Sequence, residues 1–337
     1  MNDFLIPFEE LKSSLEAILI QAGFEKEQAA KCALLFAQAD LDGVRSHGVK
    51  RFFLFLDYVQ KGYVRPNLQP VLLDKTGSFE RYDGQFGPGN LNADFAMSRA
   101  IDLAMEYGMS CVSVRNTNHW MRGGNYGWQA AEAGLMAICF TNTKANMPAW
   151  GGSEPKLGNN PLILAVPRSN GPIVLDMAMS QFAYGKMSIA SEKGQEMPFD
   201  AGFDTEGNLT RNPKTILENQ LALPIGLWKG SGLSLMLDLF ATLLSGGKST
   251  HEVESSGAEM GLSQVFICFD PQRLNLGDWM ENKVEEVLYD LKKSSVFEGN
   301  EVRYPGEKTL EIRRKNLENG VPVSAKIWQQ ILEKINV

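Results

Sequence analysis

The sequence predicts a mixed α/β fold with a helical section at its start. Three observations carry this. Helix-period apolar patterns occupy residues 8–61, short apolar strands alternate with helices from about residue 70, and helical patterns return near the C-terminus.

Residues 8–23 read as an amphipathic helix closed by Gly23, residues 25–40 as a second, and residues 48–61 as a third ending before Gly62. Beyond the change of texture, residues 90–107 read as a helix stopped by Gly108, then 110–115 as a strand, 125–133 as a helix and 135–141 as a strand. Further strands are expected at 162–166 and 173–176, a helix at 232–244 and a strand at 263–269. Helices return at 278–293 and 324–335. The Pro- and Gly-rich region 185–213 reads as a long irregular connection over the surface. There is no internal repeat and no low-complexity tract.

The 337 residues are 44% apolar and 22% charged, which suits a globular chain of one large domain or two modest ones. A formal net charge of −7 opposes a phosphate-tracking surface, so no nucleic-acid partner is expected. Cys32, Cys111, Cys139 and Cys268 are scattered through apolar stretches without a C-x-x-C pair. They read as buried reduced thiols, neither a zinc knuckle nor a disulfide framework. The opening MNDFLIPFEE lacks a basic n-region and a continuous apolar run, and the longest apolar stretch, 233–244, is interrupted by Asp238 and too short to span a bilayer. These features predict a cytoplasmic protein with no membrane partner.

Familiar phosphate-binding motifs fail. A G-x-G-x-x-G fingerprint would need glycine where Gly87-Pro88-Gly89 is followed by Asn92, and where Gly230-Ser231-Gly232 is followed by Leu235. Gly247-Lys248-Ser249 resembles the tail of a phosphate loop whose first glycine falls at Thr242. Asn208-Leu209-Thr210 fits a glycosylation acceptor, which means nothing in a cytoplasmic chain.

Only three histidines occur. His47 lies in Asp42-Gly43-Val44-Arg45-Ser46-His47-Gly48, and Arg51 follows four residues later, on the same face of a helix that begins there. Arg51 could grip a carboxylate while His47 delivers a proton to a neighbouring carbonyl, with a pKa near ~6.5 if unperturbed. The alternative makes Ser46 a helix cap and His47 a solvated loop residue. His119, in Asn118-His119-Trp120-Met121-Arg122-Gly123-Gly124, stands where a strand ends and a helix begins, the usual place for ligands in α/β sheets. It reads as functional, or else as part of a polar turn. His251 reads as an exposed loop residue. The segment from Leu223 to Gly232 offers glycines, Lys229 and a helix start, which is either an anion site or a tight turn with a solvated lysine.

Together, Ser46-His47-Gly48-Val49 with Arg51, Asn118-His119, Gly158-Asn159-Asn160-Pro161, Leu175-Asp176-Met177-Ala178 and Pro224 through Gly232 resemble the malate/L-lactate dehydrogenase family. This family is distinct from the Rossmann-type lactate and malate dehydrogenases. Trp120-Met121-Arg122 and the Gly202-Phe203-Asp204 region are similar to a branch that reduces sugar-derived oxo acids. The resemblance implies a non-Rossmann NAD(P)-binding mixed-sheet core, residues 71–302, with a helical domain built from residues 1–70 and 303–337. It implies a homodimer, NAD(H) as cofactor with NADP(H) the alternative, a small anionic sugar-acid substrate and no metal. His47 becomes the proton donor. Cofactor contacts carry over to Pro172, Ile173, Val174, Leu175, Asp176, Met177 and Ala178, to Trp228 and Lys229, and to Gly306, Glu307 and Lys308. This chain reads Gly306-Glu307-Lys308 where a relative in that branch reads Gly-His-Glu, so the contact made by residue 307 differs. From position and chemistry, Arg51 and His119 are expected to hold substrate. The rival readings are a reductase of another 2-oxo acid or a cyclic imino acid, a metal-dependent hydrolase or lyase using His47 and His119, and a non-catalytic sugar-acid binder. No H-x-x-x-H spacing supports the metal reading.

Overall fold

The computed structural model describes residues 3–335, and its elements follow the apolar periodicity. The described chain opens with strand β1 (Asp3–Ile6) and helices α1 (Phe8–Gln21), α2 (Lys26–Leu41) and α3 (Val49–Gln60). Strands β2 (Val71–Thr76) and β3 (Phe79–Asp83) lead through α4 (Gly89–Tyr107) to β4 (Met109–Asn118), α5 (Gly124–Glu132) and β5 (Met136–Thr141). Short strands β6 (Met147–Pro148) and β7 (Pro155–Leu157) precede β8 (Leu162–Val166) and β9 (Ile173–Met177). Next come α6 (Tyr184–Glu192), β10 (Gly202–Phe203), β11 (Leu209–Thr210) and α7 (Pro213–Asn219). Helices α8 (Trp228–Ser245) and α9 (Thr250–Ser255) lead to β12 (Met260–Phe269). The chain closes with α10 (Gly277–Lys292), α11 (Glu307–Asn319), β13 (Val321–Ser324) and α12 (Ala325–Ile335).

Seven strands form one mixed sheet in the order β2-β3-β4-β12-β5-β8-β9. Strands β3 and β4 run parallel, and the other neighbours are antiparallel. Alternation along each strand feeds two cores. Phe266, Cys268, Val112 and Cys139 pack under α4 and α5, where Ala93, Ala96, Ala100 and Ala104 let α4 approach closely. On the other face, Val265 and Phe140 meet Leu237 and Ala241 of α8. A separate apolar cluster draws on both ends of the chain, joining Leu11, Leu15, Phe36 and Phe52 to Val321, Val323 and Trp328. Antiparallel pairing of β1 with β13 ties the same two ends.

The region 185–213 departs from the expected surface connection. It holds most of α6 and the β10-β11 hairpin, and Met187, Met197 and Ala201 form their own core with Ile216 and Ala222. Gly185 is needed for close approach: an added Cβ would lie 2.2 Å from Cβ of Ser46. Helix α11 also escapes sequence reading, because its polar stretch buries little beyond Asn316. Cys32, Cys139 and Cys268 are buried free thiols, while Cys111 is only partly covered. Burial pushes the Cys32 and Cys268 thiols up to about 12. No helix among the described residues is long and apolar enough to cross a membrane.

Candidate active site

The turn between α2 and α3 carries His47, and a buried carboxylate holds it. Helix α3 begins behind Gly48 without a side-chain cap of its own. Instead Asp40, from the last turn of α2, accepts the Val49 N–H at 2.6 Å. Space for this exists only because residue 48 is glycine: an added Cβ would lie 1.8 Å from Asp40 Oδ2. Burial pushes the Asp40 carboxyl up to about 7, against the Val49 N–H and the Arg45 charge. Arg45 pins the turn by donating to Asp3 at 2.7 Å and to the Pro322 carbonyl at 2.5 Å. Ser46 does not cap α3; its Oγ lies 3.0 Å from His47 Nδ1.

His119 arrives from the end of β4. The Asn118 side chain is fixed by the carbonyls of Tyr63, Phe86 and Gly87, and its own carbonyl accepts from Gln264 at 2.9 Å. Gly89 of the failed fingerprint serves this junction, since a Cβ there would fall 2.0 Å from the Asn118 carbonyl oxygen. Met121 adopts a left-handed φ of 63°. Its N–H thereby reaches His119 Nδ1 at 2.9 Å, so the neutral ring carries its proton on Nε2. The His47 and His119 rings stack with centroids 5.8 Å apart and planes 21° from parallel.

Both imidazoles favour the neutral form. Burial lowers His47 to about 4; Asp176 opposes the shift, while Arg51 and Arg122 add to it. His119 is held well below the ordinary histidine value by burial, then by Arg51 and His47. The unperturbed value of ~6.5 expected for His47 is therefore corrected downward.

These rings line a cleft of about 600 Å³ with Arg51, Arg122, Lys144, Asp176, Tyr184 and Glu259. The three residues expected at the substrate, His47, Arg51 and His119, thus come together. Arg51 donates to Glu259 at 2.9 Å. Arg122 is buried and donates to Asp42, whose fully buried carboxylate also holds Arg313 at 2.6 Å. Asp176 Oδ2 accepts the Gly124 N–H at 2.8 Å, at the start of α5. Asp176 was expected on the cofactor side; its charge also acts on His47. Arg122, Lys144, Glu259 and Tyr184 went unassigned in the sequence. Lys144 carried a usable signal, in the polar run Thr141-Asn142-Thr143-Lys144 where an apolar strand ends.

Of the expected cofactor residues, Val174, Leu175, Asp176, Ala178 and Gly306 line the cleft, whereas Pro172, Ile173 and Met177 do not. The Val174 N–H donates to the Pro305 carbonyl at 3.1 Å, laying the segment before α11 along β9. Gly306, at φ 91°, caps α11 with no side-chain partner, and a Cβ there would lie 3.0 Å from the Val174 nitrogen. A bare helix N-terminus on the cleft rim fits a phosphate-bearing cofactor. Glu307 is engaged by Lys292 at 2.6 Å, and Lys308 is exposed. Trp228 and Lys229 lie outside the cleft, exposed at the start of α8. His251 is exposed as expected, though within the short helix α9. Among the described residues no group of three or more His, Cys, Asp or Glu side chains could hold a metal ion.

The chain belongs to the malate/L-lactate dehydrogenase family, whose model matches residues 6–332, and is an oxidoreductase like its named relatives. It is 43% identical over 329 residues to 2,3-diketo-L-gulonate reductase of Escherichia coli O6:K15:H31, covering 97% of this chain and 98% of that protein. Malate dehydrogenase from Entamoeba histolytica superposes with a TM-score of 0.94 at 27% identity, covering 99% of both chains. Delta1-piperideine-2-carboxylate reductase from Pseudomonas syringae gives 0.88 at 28% identity, covering 98% of this chain and 99% of that one.

Proposed function

We propose that this enzyme reduces the C2 carbonyl of 2,3-diketo-L-gulonate to 3-keto-L-gulonate with NADH. The observation that carries the reading is the stacked His47–His119 pair in one cleft with Arg51 and Asp176. When bound, the nicotinamide cofactor supplies the hydride. His47 delivers the proton to the C2 oxygen, and the Asp176 charge favours the protonated ring that does so. An anionic substrate works in the same direction, offsetting Arg51 and Arg122. Arg51 holds the C1 carboxylate with donors not used by Glu259, and His119 offers Nε2–H to a substrate oxygen. Gly306 and the β9 segment hold the cofactor, and Lys229, outside the cleft at the start of α8, would meet only phosphates that extend beyond it. The cleft then lies between a helical unit of residues 1–70 and 303–337 and a cofactor-binding unit of residues 71–302.

The same reading makes the enzyme a homodimer in the cytoplasm. Leu235, Met236, Leu239, Phe240 and Leu243 of α8 are between 42% and 75% exposed, an apolar face that a second copy would cover. Free thiols suit a reducing compartment. The family fold also suits reduction of a cyclic imino acid, since one superposable structure is such a reductase.

The test follows loss of NADH and of NADPH against a panel of 2-oxo acids and piperideine-2-carboxylate, with and without chelator. Chelator-insensitive oxidation of NADH, fastest with 2,3-diketo-L-gulonate, is the expected result. Binding of the sugar acid without turnover, or activity lost with metal and restored by it, would overturn the reading.

A further inference from the structure

We infer that Glu259 selects substrate by charge, admitting monoanionic oxo acids that carry hydroxyl groups and rejecting dicarboxylates. The inference rests on the proposed reduction and deepens it.

Glu259 reaches the cleft through strand register. Met260 at the start of β12 pairs with Asn118 at the end of β4, which brings Glu259 to the side where His119 emerges. Its side chain is 12% exposed and lines the cleft, and its carboxylate accepts from Arg51 through Oε2 at 2.9 Å. Among the described residues, Oε1 accepts no hydrogen bond from the protein. An ionised carboxylate is an acceptor only, so that oxygen is matched by a substrate O–H and opposed by a second substrate carboxylate.

The charges around the cleft support the same selection. Its cations are Arg51, Arg122 and Lys144, and its carboxylates are Asp176 and Glu259. Glu259 meets Arg51, and Asp42 meets Arg122 from behind the wall. Lys144 has no ion pair among the described residues. Both histidines are neutral near pH 7. One substrate carboxylate therefore finds Arg51 and Lys144, while a second meets Glu259 or Asp176 in a partly desolvated cleft where like charges repel strongly.

The test compares equilibrium binding of L-gulonate, a hydroxylated monoanion, with that of malate, a dianion, by calorimetry with NADH present. It uses wild type and Glu259→Gln, which keeps the shape and removes the charge. The wild type should favour gulonate. The substitution should move the gulonate-to-malate affinity ratio toward malate by at least about tenfold, equivalent to ~1.4 kcal/mol of relieved repulsion. Because the ratio is taken within each protein, loss of folded enzyme cancels. An unchanged ratio in Glu259→Gln overturns the inference. A ratio that moves as expected supports it even if no 2-oxo acid is turned over, and in that case the reductase reading alone fails. Parallel kcat/KM values for 2,3-diketo-L-gulonate and oxaloacetate should move the same way.

Discussion

Replacing Gly48 by alanine tests whether the turn that carries His47 is held as the geometry implies. Gly48 has a φ of −95°, outside the left-handed region, and the space that a side chain would need is already taken. The new Cβ would stand 1.8 Å from Asp40 Oδ2 and 2.3 Å from its Cγ, so the carboxylate or the turn must move. Overpacking of this kind costs about 1–3 kcal/mol. If the carboxylate withdraws, the Val49 N–H loses its 2.6 Å bond. A buried donor left unpaired costs about another 1–3 kcal/mol. Total stability is only about 5–15 kcal/mol for a typical domain, so the loss should be plain in a urea denaturation midpoint. If the turn moves instead, His47 and Arg51 shift together, and a misplacement of ~1 Å can lower turnover by about 10²-fold. Measuring both stability and kcat/KM separates the two responses. Adding Asp40→Ala removes the overlapping carboxylate and should recover the part due to crowding. Wild-type stability and wild-type turnover in Gly48→Ala would refute the account of the turn.

Four further outcomes follow from the same structure. His47→Asn should slow turnover by about 10²–10⁴-fold while leaving NADH affinity unchanged. With the folded pKa lowered to about 4, His47 is the neutral base through neutral pH, so kcat/KM for oxidation should be flat there and fall as pH drops through about 4. Reduction needs the protonated ring and should instead slow as pH rises above that value; a free-enzyme limb at ~6.5 would contradict the burial argument. Asp42→Ala strands the buried Arg122 guanidinium, leaves Arg313 with only Glu132, and should destabilise the fold by about 3–5 kcal/mol, whereas an unchanged denaturation midpoint would show that water reaches Arg122. Leu243→Glu, at the most exposed point of the α8 apolar face, should yield a monomer in sedimentation velocity if a second copy covers that face.

Local sequence was enough for elements whose signals are local. Gly108 follows α4 in a left-handed conformation, with φ 89°, where the sequence predicts the stop. The apolar runs became β5, β8 and β9 almost at their predicted bounds, because burial on a sheet is written into their composition. His47, Arg51 and His119 stood out by rarity and by position at element junctions, and the motifs around them carried the family. Tertiary structure decided what depends on distant partners. Residues 185–213 lack a strong amphipathic pattern, and their core forms only when Met187 and Met197 meet Ile216 and Ala222. The capping of α3 by Asp40 depends on the backbone reversing between α2 and α3. Strand register brought Glu259 toward His119, and chain closure through β1 and β13 brought the two ends together. The low pKa of His47 was likewise invisible in the sequence, because desolvation is a property of the assembled cleft and not of the residue.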